Sequence, residues 1–208
     1  MHNRFEPAID RAIHLAGLAA AVAGSAVLFW IAITDRSGPA IAGVALYSFG
    51  LLAMLTCSAL YNGARSAKRR DLLQRFDHAA IFLMIAGTYS PLMIGALDDT
   101  LVAVVYVAVW AVAIFGFVAK LSVRMRSDRL SILLYIALGW AIVAAGPAMI
   151  EHLSLPVLWL VVAGGLLYTV GVLFHVAERL PYQNAIWHGF VIAAAGCHYA
   201  AILDHLTA

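Results

Sequence analysis

Seven stretches of this chain contain no Asp, Glu, Lys or Arg, and each is 20 residues or longer. They cover residues 12–34, 37–64, 78–97, 100–119, 130–150, 152–177 and 180–203. An α-helix rises about 1.5 Å per residue, so about 20 apolar residues cross the hydrocarbon core of a bilayer. Strands of a membrane barrel are about half that long and alternate in polarity. The runs therefore predict an all-α membrane protein, a seven-transmembrane helix bundle. Charged residues make up 12% of the chain, against roughly 25% in a soluble domain. Connections such as Asp98–Asp99 and Glu151–His152 leave no room for a second unit, so 1–208 reads as a single seven-transmembrane domain.

Lysine and arginine fall on alternate sides very unequally. Arg4, Arg11, Arg65, Lys68, Arg69, Arg70, Arg75, Lys120, Arg124, Arg126, Arg129 and Arg179 lie on one side, and only Arg36 on the other. Cationic loops stay in the cytoplasm, which predicts a cytoplasmic N-terminus and a C-terminus outside. Losing or adding a span would scramble this asymmetry. Glu6 and Asp10 precede the first run, which reads as a span rather than a cleaved signal. The orientation excludes a G-protein-coupled receptor, whose N-terminus is outside. A retinal protein needs a lysine in its last helix, and the only lysines are Lys68 and Lys120. There is no basic tail for nucleic acid, and Cys57 and Cys197 read as core thiols.

Ionisable side chains inside a span are costly, so each needs a partner, a cavity or a function. Ser58 and Asn62 end the second span on the cytoplasmic side, and Asp77 and His78 open the third. His175 ends the sixth there, while Asn184 and His188 open the seventh. Ser58 and Asn62 are four residues apart, as are Asn184 and His188, so each pair shares a helix face. A carboxylate and an imidazole at one depth can bind a metal, or hold a water and move protons. Asp77 is open to plainer readings too: a cap on the third helix, favoured by its dipole, or a partner for Arg75. His188 equally fits a satisfied interfacial histidine, and the two asparagines fit interhelical hydrogen bonding.

The other histidines carry less. His14 and His152 read as packing or solvated residues, and His2 and His205 as terminal. His198 lies ten residues past His188, about 15 Å along the helix and roughly 80° off its face, as an internal hydrogen-bonder. No helix carries a histidine pair at haem-ligating spacing. Gly87, Thr88 and Pro91 are expected to loosen or kink the third span. Gly164, Gly165, Tyr168, Thr169 and Gly171 give the sixth a small-residue face. Trp140, Trp159 and Tyr135 read as belt or core residues.

Two segments carry a resemblance. SALYNGARSAKRRDLLQRFDHAAIFLMIAGTYSPLMI, from Ser58 to Ile94, and LPYQNAIWHGFVIAAAGCHYAAI, from Leu180 to Ile202, resemble the hemolysin III family. That family is the bacterial branch of the progestin and adiponectin receptor superfamily. The resemblance implies a zinc site near the cytoplasmic face, with three histidines as ligands and an Asp holding the metal-bound water. Carried over residue by residue, the Ser is Ser58, the Asp is Asp77 and the last ligand is His188. Asn62 and Asn184 stand at the other two ligand positions. Asn is a poor zinc ligand, so the expectation is a remodelled polar site without tightly held zinc. In it Asn62 and Asn184 hydrogen-bond Asp77, His188 and a water, with His175 as a replacement ligand if metal binds.

The resemblance implies a role in membrane lipid homeostasis at the cell inner membrane, with membrane lipids as partners. The bundle would sense or bind acyl chains. The alternative is a zinc-dependent intramembrane hydrolase of a lipid amide or ester, with His188 as ligand, Asp77 orienting water and Ser58 stabilising developing charge. A pore-forming cytolysin ranks last, because no span is lined with charge.

Overall fold

Local capping sets where two of the helices begin. The Asp99 carboxylate accepts the N–H groups of Leu101 at 2.7 Å and Val102 at 3.1 Å, satisfying donors that a helix start leaves orphaned. Ser127 does the same for Leu130 at 3.3 Å. The computed structural model describes residues 6–35, 38–122, 127–177 and 179–208. Arg4, Arg36, Arg124 and Arg126 of the charge count, and His2, lie outside the described residues.

The helices are α1 (Glu6–Asp35), α2 (Gly38–Gly63), α3 (Ala67–Met93), α4 (Thr100–Leu121), α5 (Asp128–Gly139), α6 (Gly146–His152), α7 (Leu155–His175) and α8 (Gln183–Thr207). A 3-10 segment, Ala141–Ala145, joins α5 to α6. Those three pieces form one span, so seven segments are long and apolar enough to cross a membrane, and no strand occurs among the described residues. The all-helical expectation is met, with the fifth span interrupted.

Polarity is distributed as lipid requires. Trp30, Phe115 and Trp159 face outward at 71%, 68% and 65% exposure, whereas Asp10, His14, Ser58, Ser90 and Lys120 are buried. In a water-soluble fold the reverse is normal. Trp159 is thus an outward-facing residue, while Trp140 turns inward and donates from Nε1 to Thr169 at 3.1 Å.

The third span is the most enclosed: 72% of its most hydrophobic window is buried. It packs on α2, α4, α5 and α8, with α1 against α2 and α8, and α7 against α8. The small-residue face of α7 is used as expected: Gly164 lies against His198, Gly165 against Trp140, and Gly171 against Phe190 and Trp187.

The break in the fifth span has a specific partner. Around Gly139 and Pro147 the helical hydrogen-bond ladder lapses, and a bare backbone group in hydrocarbon costs several kcal/mol. Buried Tyr89 repairs it. Its hydroxyl donates to the Leu138 carbonyl at 2.6 Å and accepts the Ile142 N–H at 3.1 Å. Tyr89→Phe is expected to cost about 1–3 kcal/mol, the penalty for an unsatisfied buried group. Denaturation in detergent would register it, and an unchanged midpoint would dismiss the role.

The structure corrects the placement of Asp77. Helix α3 begins at Ala67 with Ser66 at its N-cap position, ten residues before Asp77. Asp77 neither caps the helix nor feels its N-terminus, and Arg75 pairs with Asp71 at 2.6 Å instead. Charge-free runs mark the hydrocarbon-facing part of a helix, and α3 continues through its charged turns beyond it. Lys120 likewise belongs to the last turn of α4 rather than a loop. It is buried against Asp128 at 3.0 Å, and His78 lies 3.5 Å from the same carboxylate. Gly87 and Pro91 serve close packing, since α3 continues through Pro91 to Met93 and the backbone of α2 runs against both.

Candidate functional site

Asp10 and His14 stand four residues apart on α1, so both side chains leave the same face one turn apart. That face meets α2 and α8. The Asp10 carboxylate lies 2.6 Å from His188 Nδ1, with the two side chains only 10% and 11% exposed. His14 Nδ1 donates to the Asp10 backbone carbonyl at 2.8 Å. In the neutral ring Nε2 then carries the lone pair, and it lies within hydrogen-bond distance of the Ser58 hydroxyl at 3.1 Å. The rings of His14 and His188 meet edge to face with centroids 4.2 Å apart.

The cluster ends an internal cavity of about 150 Å³. His14, Ser58, Asp77, His78, His175 and His188 face it at the end near the α1 N-terminus, and Asp77 interacts with both His188 and the Ser58 hydroxyl. Beyond them the walls are apolar, with Met54, Leu55, Ile81, Ile85, Ile132, Ile136, Val172 and Val191. The cavity reaches Thr88, Tyr168 and His198. His188 and His198 both line it ten residues apart on α8, which makes it about 15 Å long. His198 is a hydrogen-bonder, 3.3 Å from the Val161 carbonyl, as its position predicts.

Ser58, Asp77 and His188 are thus brought together, and the two asparagines are not part of the group. Asn62 donates to the Ser58 backbone carbonyl at 3.0 Å, and Asn184 is exposed. Neither lines the cavity, so the expected amide contacts to Asp77 and His188 do not form. An amide at the end of α2 finds its own helix's carbonyl one turn back, and Asn184 sits in the first turn of α8, facing away. His175 lies against Trp187, ring centroids 4.9 Å apart. His14, read as a packing or solvated residue, is instead at the centre. Its signal was present in the sequence: Asp10–His14 has the same four-residue spacing as the other two pairs. Reading the first span as starting after Arg11 divided the pair.

As to metal, Asn62 and Asn184 do not fit zinc, whereas another set of residues does. Asp10, His14 and His188 each offer one ligand atom, and these atoms all lie within 4.8 Å of one another. One carboxylate and two imidazoles is a donor set that can hold a metal ion.

The comparisons with known proteins agree with the sequence motifs. The family model described as Haemolysin-III related matches residues 2–199. The chain is 32% identical to the Hemolysin-3 homolog of Bacillus subtilis over 180 residues, covering 86% of this chain and 84% of that one. It is 33% identical to Hemolysin-3 of Bacillus cereus over 196 residues, 91% of this chain and 88% of the other. The human monocyte to macrophage differentiation factor is 26% identical over 77% of this chain and 69% of its own length. No solved structure is a significant match. With seven membrane-length helices and a family match along nearly its whole length, the chain is a multi-pass membrane protein belonging to the haemolysin-III family.

Proposed function

We propose that this protein handles membrane lipid, serving lipid homeostasis in a bacterial inner membrane, with the polar cluster on the cytoplasmic side. One observation carries the reading: an apolar cavity about 15 Å long ends on a buried group of carboxylates and imidazoles. Such a shape matches an amphiphile, with an acyl chain along the walls and a polar head against Asp77 and His188. Pockets for whole drug-sized ligands run to about 300–1,000 Å³, so this cavity accommodates a chain segment rather than an entire lipid. The cytoplasmic N-terminus rests on the twelve-to-one distribution of Lys and Arg.

A second reading is favoured by the metal-capable group: hydrolysis of a lipid amide or ester, with Asp77 orienting the attacking water. Lipid extracted from the detergent-purified protein and analysed by mass spectrometry separates the readings. Ile136 lines the cavity from α5, and Ile136→Trp would fill it. The wild type is expected to carry a lipid enriched over the bulk membrane, and the variant to lose most of it while keeping its melting temperature. Absence of enriched lipid in the wild type would sink the proposal. Release of free fatty acid from a ceramide or phospholipid, abolished by Asp77→Asn, would put the hydrolase first.

A further inference from the structure

We infer that Asp10, His14 and His188 form a zinc site in which α1 supplies two ligands, in place of the amides at 62 and 184. Three features of the structure carry this. The donor set is one carboxylate oxygen and two imidazole nitrogens, the composition typical of zinc centres with three protein ligands and an open position. Metal–ligand distances of about 2.0–2.2 Å set tetrahedral ligand atoms about 3.3–3.5 Å apart. The atoms here lie between the 2.6 Å of the Asp10–His188 contact and the 4.8 Å limit of the group, so small side-chain adjustments suffice.

The orientation of His14 is the second feature. Metal-ligating histidines nearly always donate their other ring nitrogen to a carbonyl or carboxylate. His14 already does so, from Nδ1 to the Asp10 carbonyl at 2.8 Å, leaving Nε2 directed into the cluster. The third feature is electrostatic. A carboxylate only 10% exposed in a membrane-spanning helix needs compensation. Its side-chain neighbours are the imidazoles of His188, at 2.6 Å, and His14, at 3.6 Å. A divalent cation held by both imidazoles would balance this carboxylate, which neutral imidazoles do not. The open position would face the cavity beside Asp77 and Ser58. They are positioning residues, suited to hold a water there.

Asn62 and Asn184 take no part, which distinguishes this site from one left at the positions the family resemblance implies. The inference is independent of the lipid reading, because metal is measured without lipid and each can fail alone.

The test is zinc content by inductively coupled plasma mass spectrometry, on full-length protein purified without a histidine tag and dialysed after zinc loading. About one zinc per chain is expected. Asp10→Asn and His14→Gln should each lower it to background, while Asn62→Ala and Asn184→Ala should leave it unchanged. Ser58→Ala, which removes the hydroxyl that contacts His14, should weaken zinc affinity about tenfold without abolishing binding. X-ray absorption of the zinc-loaded wild type should show two imidazole nitrogens and oxygen ligands, a readout that survives even if a variant fails to fold. Zinc at background in the wild type would overturn the inference. So would full retention in both Asp10→Asn and His14→Gln, or loss in either asparagine variant.

Discussion

Replacing His188 with alanine is expected to destabilise the metal-free protein by about 3–5 kcal/mol, the usual cost of leaving a buried charge without its partner. The Asp10 carboxylate is 10% exposed and 2.6 Å from His188 Nδ1. Its sequence neighbour on the same face, His14, offers a contact of only 3.6 Å to the other carboxylate oxygen. Without His188 that charge has no close side-chain hydrogen-bond donor among the described residues. Loss of the ring also leaves the edge of His14 uncovered, since the two rings pack at 4.2 Å. The double variant Asp10→Asn with His188→Ala should recover much of the loss, because a neutral amide is far cheaper to bury. Chemical denaturation in chelator-treated detergent buffer gives the coupling energy of the pair directly. A single variant as stable as the wild type would mean that Asp10 is already neutral or hydrated.

Gly87→Val and Gly50→Val should each destabilise the bundle through packing alone. Helices α2 and α3 cross with backbone against backbone. A Cβ on Gly87 would stand 2.7 Å from the Leu46 carbonyl oxygen, and one on Gly50 would stand 2.6 Å from that of Leu83. A Cβ on Gly43, two turns before Gly50, would stand 2.7 Å from the Cα of Pro91. The partners run in opposite directions along the two helices, so one antiparallel register satisfies all three contacts. Each obstruction is main chain, which no rotamer change can move. Overpacking costs about 1–3 kcal/mol or more per site. Because α3 carries Asp77 and α2 carries Ser58, the variants should also lose any lipid or metal bound at the site. Normal melting temperatures with either valine would show that the two helices can separate without penalty.

How much of the site was readable in the sequence differs from residue to residue. Ser58, Asp77 and His188 were picked out by polarity in apolar runs and by the family motifs, and all three face the cavity. His14 and Asp10 were missed although their spacing matched, because a run that begins after Arg11 puts one in the flank and the other in the span. Asn62 and Asn184 share the helix faces their spacing implies, but one side chain folds back on its own helix and the other is exposed. Spacing defines a face and not the rotamer or what stands opposite. Tyr89 was invisible for a similar reason: its function depends on carbonyls 49 and 50 residues away.

The number of spans, and the inequality of charge between their ends, were determined by the sequence by itself. Those properties follow from transfer of side chains between water and hydrocarbon, which acts on each segment separately. Which helices touch, where the fifth span breaks and which imidazoles meet the buried carboxylate were decided only by the tertiary structure. In hydrocarbon, apolar surface does not discriminate between helix partners, so small-residue contacts and hydrogen bonds choose them. Those contacts join residues far apart in the chain: Gly87 to Leu46, Tyr89 to Leu138 and His188 to Asp10.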